Sequence, residues 1–399
     1  MKMTDIKTIA EACRTPVIFR GLLDDPVIAG LIKTLGYIEE GDTEKAVTGY
    51  CSFVEGLYSE TDDLTEYVLE SVLESENLYI VKRAEGRPTG ELLDECLANE
   101  LYLLEQLATI PCDELLDRID YDGFLPRYRT SACDFSKTYA DRIHGLDRFG
   151  YGIFAQFHMF VSKDGEIVPV KYPDSISLSD FSGYERERGE VINNTLALLS
   201  GKPANNVLLY GDCGTGKSST VKAIANDFAD RGLRLIELKK KQLHELPDIV
   251  KQISRNPLKF IIFIDDLSFT EDDDDFAALK AILEGSVASS ANNICIYATS
   301  NRRHLIRETF SARKGDEIHF KDTMQELVSL SDRFGLTVTF VKPDKQNYLS
   351  VVDDLAKKYS VKMPIEEVRK QAEAFALARA GRSPRVAKQF IEYLKGMED

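Results

Sequence analysis

The sequence has 399 residues and a mass of 44.9 kDa, which predicts two or three domains rather than one. Apolar residues make up 43% of the chain, enough for sizeable cores and too many for a disordered protein. The net charge of -16 argues against a surface built as a whole to bind nucleic acid, because phosphate binding needs a positive face.

The excess negative charge is concentrated in the N-terminal part of the chain. Residues 1–150 hold 30 acidic and 15 basic side chains, whereas residues 151–399 hold 36 acidic and 35 basic ones. This asymmetry predicts two units with different surfaces. We interpret the acidic part as a docking surface for an unidentified protein partner.

The cysteines and the hydropathy of the sequence indicate the cellular compartment. The seven cysteines are scattered without metal-ligand spacing, so neither a disulfide scaffold nor a zinc site is expected. The first residues carry charge throughout, unlike a signal peptide, and no stretch approaches the length of a membrane span. We therefore expect a cytoplasmic protein that does not bind membranes.

The first two segments differ in their periodicity. Within residues 1–150, apolar residues recur at helical intervals, as at Ala46, Tyr50 and Phe53, which predicts an acidic α-helical domain. Residues 151–174 are then predicted to form a β-hairpin and linker, because aromatic and β-branched residues flank a turn. The partner of this hairpin is expected to be the edge of the following sheet.

The remainder of the chain predicts an α/β fold with a helical lid. In residues 175–342 short apolar strands alternate with helices, which is typical of a parallel sheet covered by helices on both faces. Residues 343–399 predict a lid of three helices. The predicted strands are 207–210, 233–238, 260–264, 294–298 and 336–341, and the predicted helices are 217–231, 240–254, 276–289, 322–331, 344–358, 364–379 and 384–396.

The strongest motif is a phosphate loop. Residues 211–218 match GxxxxGK[ST] between a predicted strand and a predicted helix. Glycines let backbone N–H groups and the helix N-terminus face phosphate oxygens, Lys217 can reach the β- and γ-phosphates, and the Ser218 hydroxyl can bind Mg²⁺. ATP and Mg²⁺ are therefore the expected cofactors. The predicted nucleotide-binding loop comprises Gly211, Asp212, Cys213, Gly214, Thr215, Gly216, Lys217, Ser218 and Ser219.

Acidic residues follow the next wholly apolar strand. Asp265 is expected to hold Mg²⁺ together with Ser218, and Asp266 to orient or deprotonate the attacking water. The alternative for Asp266 is a supporting or capping carboxylate, and its short side chain leaves the rate open. Residues 271–275 form an acidic run, which we interpret as a solvated loop at a helix start rather than a second metal site.

Together these motifs resemble the AAA+ ATPase superfamily. Asn301 closes the segment Tyr-Ala-Thr-Ser-Asn, where that family keeps its sensor 1, and the resemblance implies contact with the γ-phosphate or the attacking water. Arg333 lies in a segment similar to the family's arginine finger, which implies contact with a neighbouring subunit's ATP. Tyr184 lies upstream of the phosphate loop, where the family packs the adenine.

The lid completes the resemblance, which covers about residues 175–399. Arg385 matches the family's sensor 2, with Arg382 as a rival, and the resemblance implies a homo-oligomer with shared ATP sites. The alternative for Arg333 and Arg385 is a local ion pair. The motifs are similar to the bacterial replication-initiator and helicase-loader branch. The whole chain resembles still more an uncharacterised bacterial family of predicted AAA+ ATPases with a helical N-terminal extension.

These observations support three hypotheses about function. The leading one is an ATPase that hydrolyses ATP to ADP and phosphate to drive or switch a conformational change in a partner. The alternative is an ATP-gated loader with little hydrolysis, which an aspartate at 266 favours. The third, a small-molecule kinase, is opposed by the sensor and arginine segments.

Basic clusters interrupt the near-neutral C-terminal part. They lie at 239–241 and between 302 and 314. Nucleic-acid binding is one interpretation, but we favour solvated helix ends or contacts with the acidic N-terminal part.

Overall fold

The computed structural model describes residues 6–267, 279, 283, 292–301, 333–379 and 381–398. The residues predicted as an acidic loop at 271–275, a basic cluster at 302–314 and a helix at 322–331 lie outside this description, as does nearly all of the predicted helix 276–289. Contacts divide the chain into two compact units, Met1–Gln156 and Phe157–Asp399. The finer division at residues 150, 174 and 342 stays a prediction.

The first unit is helical, as its periodicity predicts. Its buried residues form a continuous core that includes Leu31, Leu35, Phe53 and Leu57, contributed by two long neighbouring helices. The described helices are α1 (Ile6–Ala12), α2 (Pro26–Glu40), α3 (Thr43–Tyr58), α4 (Leu64–Glu74), α5 (Leu78–Ala84), α6 (Glu91–Ala108), α7 (Cys112–Leu116), α8 (Phe135–His144), α9 (Leu146–Phe149) and α10 (Ile153–Gln156).

Some carboxylates of this acidic unit stabilise its backbone. The Asp25 side chain accepts hydrogen bonds from the N–H groups of Val27 and Ile28 at 3.0 and 2.9 Å, which caps α2. A cap of this kind stabilises a helix by about 1 kcal/mol. The buried Glu100 carboxylate accepts from three consecutive N–H groups, at residues 17–19. Part of the negative charge therefore has a structural role.

The second unit contains a seven-stranded sheet with the order β2-β1-β4-β5-β6-β3-β7. All neighbouring strands run parallel except β2, which is antiparallel to β1. The predicted parallel sheet is confirmed. Its strands are β1 (Met159–Lys163), β2 (Glu166–Pro169), β3 (Val207–Gly211), β4 (Leu233–Leu238), β5 (Lys259–Ile264), β6 (Ile294–Ser300) and β7 (Leu336–Phe340).

The predicted hairpin is confirmed with one correction. Strand β1 pairs with β4, so the hairpin does extend the edge of the sheet. Its strand begins at Met159 rather than at residue 151, because Gly150 and Gly152 have φ angles of 70° and 58° and a short helix, α10, follows them. The left-handed glycines interrupt the extended backbone that the aromatic run otherwise favours.

Helices join the strands and form the lid. The connecting helices are α11 (Glu185–Leu199), α12 (Lys217–Asp227) and α13 (Leu246–Ile253). The helices predicted over 217–231 and 240–254 are shorter than expected, since each includes a separate 3-10 turn. The lid consists of α14 (Lys345–Lys358), α15 (Ile365–Ala378) and α16 (Pro384–Gly396).

The sheet positions its carboxyl edge for binding. Strand β5 is buried from Phe260 to Ile264 and lies between β4 and β6, whereas β3 lies between β6 and β7. The ends of β3, β5 and β6 therefore meet at one edge, where ligands bind in open α/β sheets. The lid helices pack around their own core, which includes Tyr348, Val352 and Phe390. No helix in the described ranges is long and apolar enough to cross a membrane.

Candidate functional site

The phosphate loop takes its shape from close backbone approaches. Gly211 ends β3 with a φ of 135°, and a Cβ atom there would lie 2.0 Å from the carbonyl oxygen of Phe340. Gly214 has a φ of 79°, and its Cβ would lie 3.1 Å from Oγ of Ser383 in the lid. Larger residues at these positions would be strained. Helix α12 begins at Lys217, so its N-terminus faces the loop.

The other residues of the loop have distinct contacts. The Asp212 N–H donates to the Phe340 carbonyl at 2.9 Å, and its carboxylate accepts from the Lys342 N–H at 2.8 Å. Thr215 Oγ1 donates to the Asp212 carbonyl at 2.9 Å. Cys213 is exposed and lines a cavity of about 250 Å³ beside the loop, the phosphate pocket. Asp212 and Thr215 thus stabilise the loop, and Cys213 lies at its open side.

Lys217 is the buried cation of this pocket. Its Nζ donates to the carbonyls of Gly211 and Asp212 at 2.9 and 2.8 Å, and to Oδ1 of Asn301 at 3.0 Å. Burial lowers the pKa of Lys217, and nearby acidic groups including Asp212 and Asp265 oppose this shift. The ammonium group is therefore held beside the loop, where an anionic ligand would strengthen its charged form.

The two expected metal ligands lie together. Ser218 Oγ donates to Asp265 Oδ1 at 2.6 Å, and Thr299 Oγ1 donates to the same oxygen at 2.5 Å. Hydroxyl and carboxylate oxygens suit Mg²⁺, which usually takes its other ligands from phosphate and water. This donor set fits the ion. Among the described residues no group of three or more His, Cys, Asp or Glu side chains forms a separate metal site.

Asn301 connects Lys217 to Asp266. Its Nδ2 donates to Oδ1 of Asp266 at 2.8 Å while its Oδ1 accepts from the lysine. The Asp266 backbone has a φ of 51°, and its N–H donates to Oγ1 of Thr299 at 2.9 Å. Sequence reasoning missed Thr299, although it lies inside the segment that ends in Asn301. Thr299 orients both acidic residues through one hydroxyl group.

A second cavity of about 460 Å³ continues from the phosphate loop towards the lid. Gly214, Gly216, Ser219 and Arg385 line both cavities. The larger one is lined by apolar and aromatic side chains together with charged and hydroxyl-bearing ones. Its shape and its position beside the phosphate loop suit a nucleoside. Its distinctive lining residues are Ile176, Phe181, Tyr184, Arg188, Val351, Leu355 and Tyr359.

Tyr184 lines this larger cavity, the nucleoside pocket. Its hydroxyl donates to the Val341 carbonyl at 2.6 Å, and its ring stacks on Phe340 with centroids 5.4 Å apart. Burial raises the pKa of Tyr184 to about 12, so the phenol stays neutral at physiological pH. The side chain is thus a fixed wall of the pocket.

The end of α12 holds the other wall. Asn226 Nδ2 donates to the carbonyls of Asp174 and Ile176 at 2.8 and 2.7 Å, and Asp227 accepts from the Leu178 N–H at 3.0 Å. One helix therefore carries the phosphate loop at its start and anchors the nucleoside-side segment at its end. Sequence reasoning missed Asn226, because no local motif links it to residues about 50 positions earlier.

In the lid, the structure distinguishes the two candidate arginines. Arg385 lines both cavities, and its backbone N–H donates to the Gly214 carbonyl at 3.2 Å. Arg382 instead forms a bidentate ion pair with Glu373, with Nε–Oε1 at 2.9 Å and Nη2–Oε2 at 3.2 Å. Arg385 thus lines the cavities, whereas Arg382 is paired with Glu373.

Arg333, unlike the phosphate loop, lies away from both cavities. It precedes β7, whose first residue, Leu336, pairs with Val207 at the start of β3. The phosphate loop follows the other end of β3, about 13 Å away for four residues of strand. Arg333 therefore lies towards the opposite edge of the sheet from the phosphate loop of its own chain.

The fold and the site together define an AAA+ P-loop protein. A phosphate loop follows β3, an asparagine follows the neighbouring strand β6, acidic residues follow the next strand β5, and a helical lid contributes an arginine. More particularly, the chain belongs to the family described as protein of unknown function (DUF815), which matches residues 154–398.

The curated relatives align with about a quarter of this chain. It is 35% identical over 113 residues to the 26S proteasome regulatory subunit 6B homolog of Schizosaccharomyces pombe, a match that covers 25% of this chain and 29% of that protein. It is 33% identical over 124 residues to the 26S proteasome regulatory subunit 4 homolog of Dictyostelium discoideum, covering 26% and 28%. The matched region is thus less than a third of either relative.

Solved structures with a partial likeness include a RuvB and a DnaA. The RuvB Holliday junction branch migration motor of Thermotoga maritima has a TM-score of 0.38 at 15% identity, covering 55% of this chain and 64% of that one. AMPPCP-bound DnaA from Aquifex aeolicus has a TM-score of 0.40 at 17% identity, covering 56% and 67%. Likenesses this remote carry no argument about what the present chain binds.

Proposed function

We propose that this protein binds Mg²⁺-ATP and hydrolyses it to ADP and phosphate, and that the reaction drives or switches a conformational change in a partner. The observation that carries the proposal is the hydrogen-bonded series Lys217–Asn301–Asp266. It lies in the same cavity as Ser218 and Asp265. A cation, an amide and a carboxylate thus line one cavity, and this arrangement supports the proposed roles of sensor and base.

Each residue has a role in the proposed reaction. Backbone N–H groups of the loop and the N-terminus of α12 bind the phosphate oxygens, and Lys217 neutralises the β- and γ-phosphates. Asp266 orients or deprotonates the attacking water, and Asn301 fixes the carboxylate in position. Mg²⁺ held by Ser218 and Asp265 would neutralise charge that develops on the phosphate oxygens. Arg385 reaches the same anions from the lid.

The location of Arg333 supports a shared site. Because Arg333 lies towards the amino edge of the sheet, its proposed role in phosphoryl transfer is at the ATP of another copy. We infer a homo-oligomer in which each Arg333 approaches the neighbouring nucleotide. An arginine in this role stabilises transition-state charge and accelerates hydrolysis by about a thousandfold or more.

A mixing experiment tests this proposal. Turnover per subunit should rise with protein concentration, and Arg333→Ala should lower it by about a hundredfold or more. A mixture of Arg333→Ala and Lys217→Ala should regain activity, because the Lys217→Ala copy still supplies Arg333 to its neighbour. Arg186→Ala, at an exposed position on α11, is the control and should behave like the wild type. Concentration-independent turnover that Arg333→Ala leaves unchanged would rule out a shared site.

A second candidate function is an ATP-gated loader that hydrolyses slowly or not at all. The observation that favours it is the short side chain of Asp266, one carboxylate oxygen of which already accepts a hydrogen bond from Asn301. A base must reach the proton it removes, so this geometry favours slow chemistry. Single-turnover hydrolysis measured beside ATP affinity separates the two candidates, since a loader would bind tightly with negligible cleavage.

We infer that the partner is a protein that contacts residues 1–150. The surplus of 15 negative charges there suits a basic surface, because complementary charge favours encounter. Nucleic acid is the less favoured partner. Within the described ranges, the feature that supports nucleic-acid binding is the run of basic residues at 239–241, which follows β4 at the carboxyl edge of the sheet.

A further inference from the structure

Arg188 is a buried cation in the nucleoside pocket. It lies in the first turn of α11, and its side chain is 7% exposed. It lines the nucleoside pocket but not the phosphate pocket. Burial lowers the pKa of Arg188, which reflects the cost of keeping a cation out of water. Arginine nevertheless stays protonated in proteins, so the pocket contains a fixed positive charge.

The contacts of Arg188 compensate this charge only in part. Nη2 donates to the Gly183 carbonyl, and the guanidinium lies over the Phe181 ring at 5.0 Å. Among the described residues the carboxylate within 4 Å is Glu185, at 3.8 Å, and its side chain is 79% exposed. A guanidinium has five N–H donors, so the group retains donors for a ligand that fills the cavity.

The surroundings indicate which part of a nucleotide Arg188 meets. The phosphates are fixed by the loop at 214–217, whose cavity Arg188 does not line. Phe181, Tyr184, Val351 and Leu355 supply flat and apolar surface around it, which suits an aromatic base. A purine offers ring nitrogens that accept hydrogen bonds in the plane of the ring.

We propose that Arg188 contacts the nucleobase and donates a hydrogen bond to a ring nitrogen of a bound purine nucleotide. This inference rests on the proposed function, because it takes the cavity to bind ATP. Arg188 then contributes to base selectivity, while Phe181 keeps the guanidinium in place by stacking.

The experiment is a series of ATP analogues in which one ring nitrogen is replaced by C–H: 1-deaza-, 3-deaza- and 7-deaza-ATP. Affinities are measured by calorimetry with Mg²⁺ for the wild type, Arg188→Met, Arg188→Lys and Arg186→Met. Arg186 is a matched control, since it lies on the same helix with an 88% exposed side chain. The wild type and Arg186→Met should bind one analogue about tenfold or more weakly than ATP.

Arg188→Met should bind ATP about tenfold more weakly than the wild type and should bind that analogue and ATP equally. Arg188→Lys keeps the positive charge but lacks the planar guanidinium, so it should lose most of the preference for ATP over that analogue. It replaces Arg188→Met in the experiment if Arg188→Met does not fold. Discrimination that persists in both variants, or a wild type that binds all analogues like ATP, overturns the role of Arg188 while ATP binding stands. A wild type that binds no ATP refutes the proposed function, and this inference with it.

Discussion

The phosphate pocket and the nucleoside pocket are built from the chain in different ways. The phosphate pocket draws on short segments at the ends of three adjacent strands, 211–219, 265–266 and 299–301, with Arg385 added from the lid. The nucleoside pocket draws on residues 174–188 and on two lid helices, more than 150 positions apart in sequence. The first groups charged, hydroxyl and amide side chains around a small space, whereas the second is larger and adds apolar and aromatic walls to its charged residues.

This difference follows from what each part of a nucleotide requires. Phosphates carry dense negative charge, so their site needs particular donors, a cation and oxygen ligands at defined distances. A base presents a flat surface, and many apolar residues can supply its walls. Substitutions should therefore have large and specific effects in the phosphate pocket and graded effects in the nucleoside pocket.

The largest effect is expected for Lys217→Ala. The variant removes the cation that contacts Gly211, Asp212 and Asn301, so ATP affinity should fall by about a hundredfold or more and turnover should be lost. Equilibrium binding of ATP and release of phosphate measure the two effects. Lys222→Ala is the control, because this lysine lies on the same helix but pairs with Glu237 at 3.1 Å. Equal effects of the two variants would contradict a special role for Lys217.

The difference between the pockets also explains how much of the site could be predicted. The phosphate loop, Asp265, Asp266 and Asn301 could be assigned in sequence because each follows an apolar strand directly, and parallel strands end at one edge. Thr299 and Asn226 could not be assigned in this way. Their roles depend on hydrogen bonds across strands or to a segment about 50 residues away.

The fold shows the same limit. The apolar runs of β4 and β5 and the lid helices were predicted to within about a residue, since each has one clear period. Residues 151–158 were not, because their aromatic composition favours a strand while two left-handed glycines turn the backbone into α10. For residues 6–156 periodicity predicted helices, but the structural use of Glu100, which binds three backbone N–H groups, gives no local signal.

The next largest effect is expected for Asp266→Asn. An amide can still bond to Asn301 but cannot take a proton, so turnover should fall by about a hundredfold or more while ATP affinity stays close to that of the wild type. Quenched-flow hydrolysis and equilibrium binding measure the two quantities. A variant that hydrolyses ATP at the wild-type rate would show that Asp266 is a supporting carboxylate.

The same variant sharpens the search for a partner. If ATP stays bound, the nucleotide-bound conformation accumulates, and a partner specific for that conformation should be retained on immobilised Asp266→Asn in the presence of ATP. Lys217→Ala, which should not bind ATP, is the matched control for this capture. Equal capture by the two variants would argue against a nucleotide-dependent partner.

The smallest effect is expected at the rim of the nucleoside pocket. Lys358 of the lid forms an ion pair with Asp180, both side chains are substantially exposed, and exposed pairs contribute little. Asp180→Asn should therefore weaken ATP binding by about two- to fivefold and leave turnover at saturating ATP unchanged.

The hydrogen bond from Lys358 lowers the pKa of Asp180, so the pair is present above the ordinary aspartate pKa of 3.8 and is lost only as the pH falls through a lower value. The effect of the variant should accordingly be constant between about pH 6 and 8 and should shrink at high salt, where exposed charges are screened. A loss as large as that of Lys217→Ala would mean that lid closure, rather than phosphate binding, dominates affinity.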